Sequence, residues 1–234
     1  MNKTLSVTIG VVASIIALGA MAAVAGPIIY DSATASPQAR LPSVVPTVHE
    51  SDPQAPPTSL SELSGQWTID SGSSAGYTVG AVLNGSDVTV TGSTQHVAGT
   101  ASVVDSMLEE ATVVVDIGSI SSDNANRDAY VRGQALDAAD YPTAEFRLTS
   151  PVGLSDVLLK GTPTTVLANG TLTLHGVTHA VSVPLTATLA NGHLTLTGMV
   201  PISFDDFDVS PIDLGFVTVE DSASINFSLT VAPR

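Results

Sequence analysis

The stretch SISSDNANRDAYVRGQALDAADYPTAEF, Ser119 to Phe146, is the one segment after residue 64 that does not read as strand. Ser122 or Asp123 offers a side-chain oxygen to the orphan N–H groups of a first helical turn. Asn124 to Arg132 then reads as a short helix, with Asp128 and Arg132 paired at i, i+4. Gly133 is predicted to stop it as a left-handed residue. Pro142 excludes Tyr141 from the helical region and starts a strand.

On both sides of this connection the chain has period two. Tyr77, Val79, Ala81 and Leu83 alternate with Thr78, Gly80 and Val82; Val113, Val115 and Ile117 share a face. Phe146 and Leu148 alternate with Glu145 and Arg147. Val181 to Leu189 and Leu194 to Phe204 continue the pattern across Asn191-Gly192, a two-residue hairpin signal. The last strand sets Val217, Val219, Ala223, Ile225, Phe227, Leu229 and Val231 on one face. Alternation of this kind gives one buried and one wet face, the mark of antiparallel sheet. Pro184 has no N–H for a ladder, so it predicts an edge or a bulge.

One short helix cannot cover about eight such strands, so the sheet closes on itself or stacks on another. The fold class expected is all-β, an extended antiparallel barrel of about eight strands with one short helix. Such a barrel either fills with side chains or holds one small ligand. With five Phe, four Tyr and one Trp in 234 residues, the inward positions are mostly Val, Leu, Ile and Ala. That composition points to leftover volume, though a flattened, filled sandwich fits the same residues.

The first quarter is not globular. Thr4 to Tyr30 runs for roughly 27 residues without a charge, enough for a transmembrane helix. Lys3 before it places the N terminus in the cytoplasm and everything after Tyr30 outside. A secreted product cleaved near Ala25 is the alternative, since Ala23-Val24-Ala25 has the small-residue spacing of a signal site. The length of the run favours the anchor. Residues 31–63, with Pro37, Pro42, Pro46, Pro53, Pro56 and Pro57, read as a disordered, semi-rigid stalk. Residues 64–234 are then a barrel domain at the cell membrane, on its extracytoplasmic side.

The net charge is −15, with about −13 falling on residues 64–234. A polyanion does not dock on phosphate backbones, which excludes nucleic acid. Anionic headgroups are poor partners for the same reason. Without cysteine there is neither disulfide nor thiolate chemistry. A G-x-S-x-G elbow is absent, and the carboxylates are scattered on polar faces. His175 and His179 straddle a strand end and a turn and find no third ligand, so no metal and no catalytic set is expected. The run Asp205, Asp206, Asp208 reads as solvated, and Asn84-Gly85-Ser86 and Asn169-Gly170-Thr171 both read as turns.

Several motifs together resemble one family. Ser119-Ile120, Asp123-Asn124, Arg127-Asp128, Arg132, Tyr141-Pro142-Thr143 and Phe146 resemble the signature of the YceI-like polyisoprenoid-binding proteins. Leu172-Thr173-Leu174-His175-Gly176-Val177-Thr178 is similar to that family's hairpin, and Trp67-Thr68-Ile69-Asp70 to its opening strand. The resemblance spans roughly Gly65 to Val231. It implies a lipocalin-like barrel around an elongated pocket for an isoprenoid quinone or other long-chain lipid, no cofactor beyond such a ligand, and often a homodimer. The chain departs from the family in the segment Ile202 to Asp208, where Phe204 replaces an Arg and Asp208 a Gly.

On this basis the expected pocket lining is Tyr77, Val79, Val115, Leu136, Phe146 and Leu148, with Leu172, Leu174, Phe204 and Phe207. The mouth is placed beside the 119–146 connection, with Tyr141 and the Tyr77 hydroxyl as polar partners for a headgroup. Arg127, Asp128 and Arg132 brace that connection or touch the headgroup. Two functions follow: non-catalytic carriage, storage or scavenging of a long apolar amphiphile at the envelope, or an extracytoplasmic interaction module whose filled barrel recruits a protein.

Overall fold

The structure is a computed structural model and describes residues 57–213 and 215–234. The uncharged run and most of the proline-rich segment lie outside these residues. Among the described residues, no helix is long and apolar enough to cross a membrane.

The strands are β1 (Gly65–Ile69), β2 (Ser74–Leu83), β3 (Ser86–Thr94), β4 (Val97–Val104) and β5 (Met107–Asp116). Helix α1 (Ala125–Tyr130) follows, then β6 (Thr143–Leu148), the two-residue β7 (Val152–Gly153), β8 (Thr164–Leu174), β9 (Val177–Ala190), β10 (His193–Ser203) and β11 (Val217–Pro233). All pairings are antiparallel, in the order β1-β4-β5-β6-β8-β9-β10-β11, and β11 returns to β1 through Ile69↔Val231 and Trp67↔Pro233. The ring is closed. β2 and β3 prolong β1 and β4 in the same directions, so each pair is one interrupted strand and the barrel has eight staves. The break between β1 and β2 is fixed by Ser73, whose hydroxyl donates to the Asp70 carbonyl (2.7 Å) and accepts from the Thr230 N–H (3.0 Å).

Tight turns follow the sequence signals. Asn84-Gly85, His175-Gly176 and Asn191-Gly192 all have both residues at positive φ, the conformation that a two-residue hairpin requires. Asn169-Gly170-Thr171 is not a turn as expected: it lies inside β8, where Gly170 leaves room for the Phe146 ring.

Pro184 sits where β10 leaves β9. Their pairing runs from His193↔Ala190 to Gly198↔Leu185 and then stops, while β10 stays on β11 as far as Ser203↔Ser222. A residue without an N–H is well suited to that point of separation. The gap that opens is plugged by Phe207, 1% exposed, whose ring meets His179 edge-on while its carbonyl accepts from His175 Nδ1 (3.1 Å).

The interior has two clusters. Leu63, Trp67, Val103, Leu158, Ala187, Leu189, Leu194 and Val231 fill the end near β1. Leu63 belongs to the 3-10 turn Leu60–Leu63, and its carbonyl accepts from the Trp67 indole N–H (2.9 Å). The final residues of the proline-rich segment are therefore packed into the barrel. The second cluster, with Val79, Ile117, Leu172, Val183, Val200, Ile202 and Phe207, surrounds the other half. Both clusters and the closed ring lie within residues 57–234, which carry their own complete core.

The connection from β5 to β6 corrects the sequence reading in three places. The N-cap is Asn124, whose side chain accepts from the N–H groups of Asn126 and Arg127. Gly133 does not stop the helix: α1 continues as a π-helical turn over Val131–Ala135, and the left-handed residue comes later, at Asp137. The expected Asp128–Arg132 pair is not formed either. Asp128 accepts from the Ser122 N–H (2.9 Å) and hydroxyl (2.6 Å), and Arg132 donates to the Ile120 carbonyl (2.9 Å). The pair one turn apart is Arg127 with Asp123, at 2.5 Å.

Candidate functional site

The half of the barrel that Trp67 does not fill encloses a cavity of about 630 Å³, within the size range of small-molecule sites. Its floor is Leu108, Leu185 and Leu196, which also touch the filled cluster. Its walls are inward residues of β2, β3, β5, β6 and β8 to β11, almost all aliphatic.

Glycines account for the empty space. Phe227 lies opposite Gly198 on the neighbouring strand, and a Cβ there would come within 2.5 Å of its ring. Tyr77 lies opposite Gly92 in the same way, at 2.6 Å. Phe146 lies over Gly170, two residues along the strand from its partner Leu172. Each ring finds room on a strand surface that has no side chain, so the rings lie along the wall. Between them, Val79, Ala81, Ala168, Val183 and Ala223 are short side chains on the same wall.

Of the residues the sequence singled out, Tyr77, Val79, Val115, Leu136, Phe146, Leu148, Leu172, Leu174 and Phe204 line this cavity. Two do not. Tyr141, expected at the mouth, stands 40% exposed on the turn of β8 and β9, against Gly176 and with its ring centroid 5.0 Å from that of His175. Phe207 faces the gap between β9 and β10, as described above. Sequence reasoning missed the residues of the loop before β11, Ser210, Pro211, Ile212 and Phe216, which also line the cavity. No periodicity marks a loop; the only available sign was a large ring at Phe216 just before strand residues.

Besides Glu145 on β6 and Ser210 in the loop before β11, the polar residues of the lining cluster where α1 crosses the cavity. Asn124, Asn126 and Arg127 contribute to the lining, with the Arg127 guanidinium held by Asp123. Asp128 and Arg132 stay outside the lining, tied to Ser122 and the Ile120 carbonyl. The Tyr77 hydroxyl is buried and has no hydrogen-bond partner, the only such side-chain atom among the described residues. Burial raises its pKa above the ordinary phenol value; Arg127 works against this, and Asp128 and Asp123 add to it. It is a neutral donor at physiological pH. Among the described residues, no three of His, Asp and Glu stand close enough to share a metal ion.

Solved structures share this fold. Among curated proteins none matches. A polyisoprenoid-binding domain from Saccharophagus degradans, implicated in plant cell wall breakdown, superposes with a TM-score of 0.58 at 17% identity, over 72% of this chain and 98% of its own. BcnA of Burkholderia cenocepacia superposes with a TM-score of 0.52 at 24% identity, over 67% of this chain and 96% of its own. At these identities the likeness is one of fold. The family model for the YceI-like domain matches residues 67–231, from the strand that opens the barrel to the one that closes it, and the chain belongs to that family.

Proposed function

We propose that this domain binds a long-chain apolar amphiphile, an isoprenoid or other fatty lipid, in the barrel cavity and carries or stores it without chemical change. One observation carries the reading: a hollow of about 630 Å³ bounded almost wholly by hydrocarbon. Each methylene transferred from water to such a wall contributes roughly 0.8 kcal/mol, so a long tail binds tightly without specific polar contacts. The Saccharophagus relative is described as binding polyisoprenoid, which supports the same class of ligand here. A protein-recruiting module with a filled barrel is disfavoured by the same hollow.

The polar end of the ligand is assigned to the α1 side, beside the Tyr77 hydroxyl. A buried hydroxyl without a partner costs about 1–3 kcal/mol, and a ligand carbonyl or hydroxyl that accepts from it removes that cost. Arg127 is already paired, so the reading requires no acidic headgroup. The place of action is the outer side of the cell membrane, with Thr4 to Tyr30 as tether.

Native mass spectrometry of residues 57–234 tests the binding. A co-purifying lipid adds several hundred daltons that denaturation removes. An added polyprenyl quinone raises the melting temperature, because a ligand selective for the native state stabilises it. Bare protein with an unmoved melting temperature rejects the reading. Recovery of the full chain in a membrane fraction, rather than in the medium, tests the tether.

A further inference from the structure

Away from α1 the cavity is edged by large apolar residues. Leu83, at the tip of β2, is 42% exposed and Phe216, just before β11, is 58% exposed, yet both also line the cavity. They are held side by side: Leu83 pairs with Val217, and the Asn84 N–H donates to the Phe216 carbonyl (2.8 Å). Val82, 39% exposed, extends the patch on the outer face of the same strand, and Pro211 and Ile212 adjoin it from the loop. Three of the eight large hydrophobic residues exposed among the described residues therefore gather at one opening of the apolar chamber. From Tyr77 the tip of β2 lies six residues on, roughly 20 Å along the strand.

We propose that this lip, built on Leu83, Val82 and Phe216, is the portal of the cavity and docks on the surface of an uncharged lipid bilayer. The proposal rests on the lipid-binding reading above. A tail of many methylenes does not cross water readily, and an apolar lip continuous with the cavity gives it an unbroken hydrocarbon path. The charge around the lip selects the kind of surface. Asp87, Asp213 and Glu220 are exposed on the adjoining segments. The five cations of residues 57–234 stand elsewhere: Arg127 on α1, Arg132 just after it, Arg147 on β6, Lys160 before β8 and Arg234 at the C terminus. An anionic surface is repelled and a zwitterionic one is not. A peptide or nucleic-acid partner that requires basic residues finds none at the lip.

The test loads residues 57–234 with a pyrene-tagged long-chain alcohol and follows its release to phosphatidylcholine vesicles by stopped-flow fluorescence. Release should quicken in proportion to vesicle concentration, and Phe216→Ser or Leu83→Ser should slow it at least about tenfold, the order expected for one large apolar side chain no longer entering the bilayer. Met199→Ser, at a methionine 54% exposed on the outer face of β10, should leave it unchanged. Replacing a third of the lipid by phosphatidylglycerol should slow release. Lip variants that release at the wild-type rate, or a rate independent of vesicle concentration, overturn the portal while leaving the cavity reading intact. A domain that takes up no probe rejects the cavity reading. Flotation of the unloaded domain then still decides the lip: wild type must float with phosphatidylcholine vesicles and the Phe216→Ser variant must not. A dimer in light scattering that Phe216→Ser dissociates, with no effect of vesicles, gives the lip to a second copy of the chain and overturns the proposal.

Discussion

The two ends of this barrel are built from the same strands with opposite results. Near β1, Trp67 and Leu63 reach across the interior and leucines from β9 and β10 meet them, so the space is solid. Toward the far end the inward residues are aliphatic, many of them Val or Ala, and three of the larger rings lie over glycines. The difference teaches that strand number does not decide whether an eight-stave barrel is hollow. What decides it is whether large side chains face small ones across the interior or along the wall. The solid end anchors the fold and leaves the other end free to stay open.

The largest effect should follow from emptying the solid end. Trp67→Ala removes a residue that is 4% exposed together with its hydrogen bond to the Leu63 carbonyl, and should cost about 3–5 kcal/mol in urea unfolding. A loss below about 1 kcal/mol would mean that the two ends do not differ in packing.

Adding bulk gives the complementary measurement. Val103→Phe, at a position 3% exposed in the solid end, should cost about 1–3 kcal/mol through overpacking. Val79→Phe points into the open space and should cost less than about 1 kcal/mol while abolishing uptake of a long-chain ligand. Equal costs at the two sites would break the contrast.

The smallest effect concerns the one orphaned hydroxyl. Tyr77→Phe should leave the unliganded domain as stable or more stable by up to about 1 kcal/mol, and should weaken binding of a ligand with an accepting headgroup. The pH dependence carries a sign. Burial raises the folded-state pKa of Tyr77, so its neutral form is favoured in the native state. Stability present below about pH 10, the unfolded value, then falls as pH rises further. The Tyr77→Phe variant should lose that part of the alkaline slope in thermal melts at stepped pH.

Much of the fold was legible because alternation is a local signal. The strands around Tyr77, Val113, Phe146, Val181, Leu194 and Val217 declare their inward faces in the order of their residues, whereas β3 and β4, rich in Thr, Ser and Gly, do not, and a scarcity of helix leaves closure as one of few solutions. The hairpins at Asn84-Gly85 and Asn191-Gly192 were legible for the same reason. Asn169-Gly170 misled, because a glycine that makes space for a ring across the sheet is indistinguishable from a turn glycine until the register is known. Gly133 misled because a π-helical turn tolerates it and the chain reverses later, at Asp137. Of the expected lining, the strand positions together with Leu136 and Phe204 face the cavity, and two positions decided by long-range packing do not. Phe207 was drawn out of the lining to seal the gap at Pro184, and Tyr141 was taken by Gly176 and His175. The lip residue Phe216 had no partner in sequence to reveal it.

The glycine seats beneath Tyr77, Phe146 and Phe227 have one more consequence. A ring resting on bare backbone has no side chain beneath it, so a turn about its own side-chain bonds meets no neighbour on that strand and needs no shift of the sheet. Three such rings on three walls should let the bore accept guests of different girth without breaking a rung of the ladder.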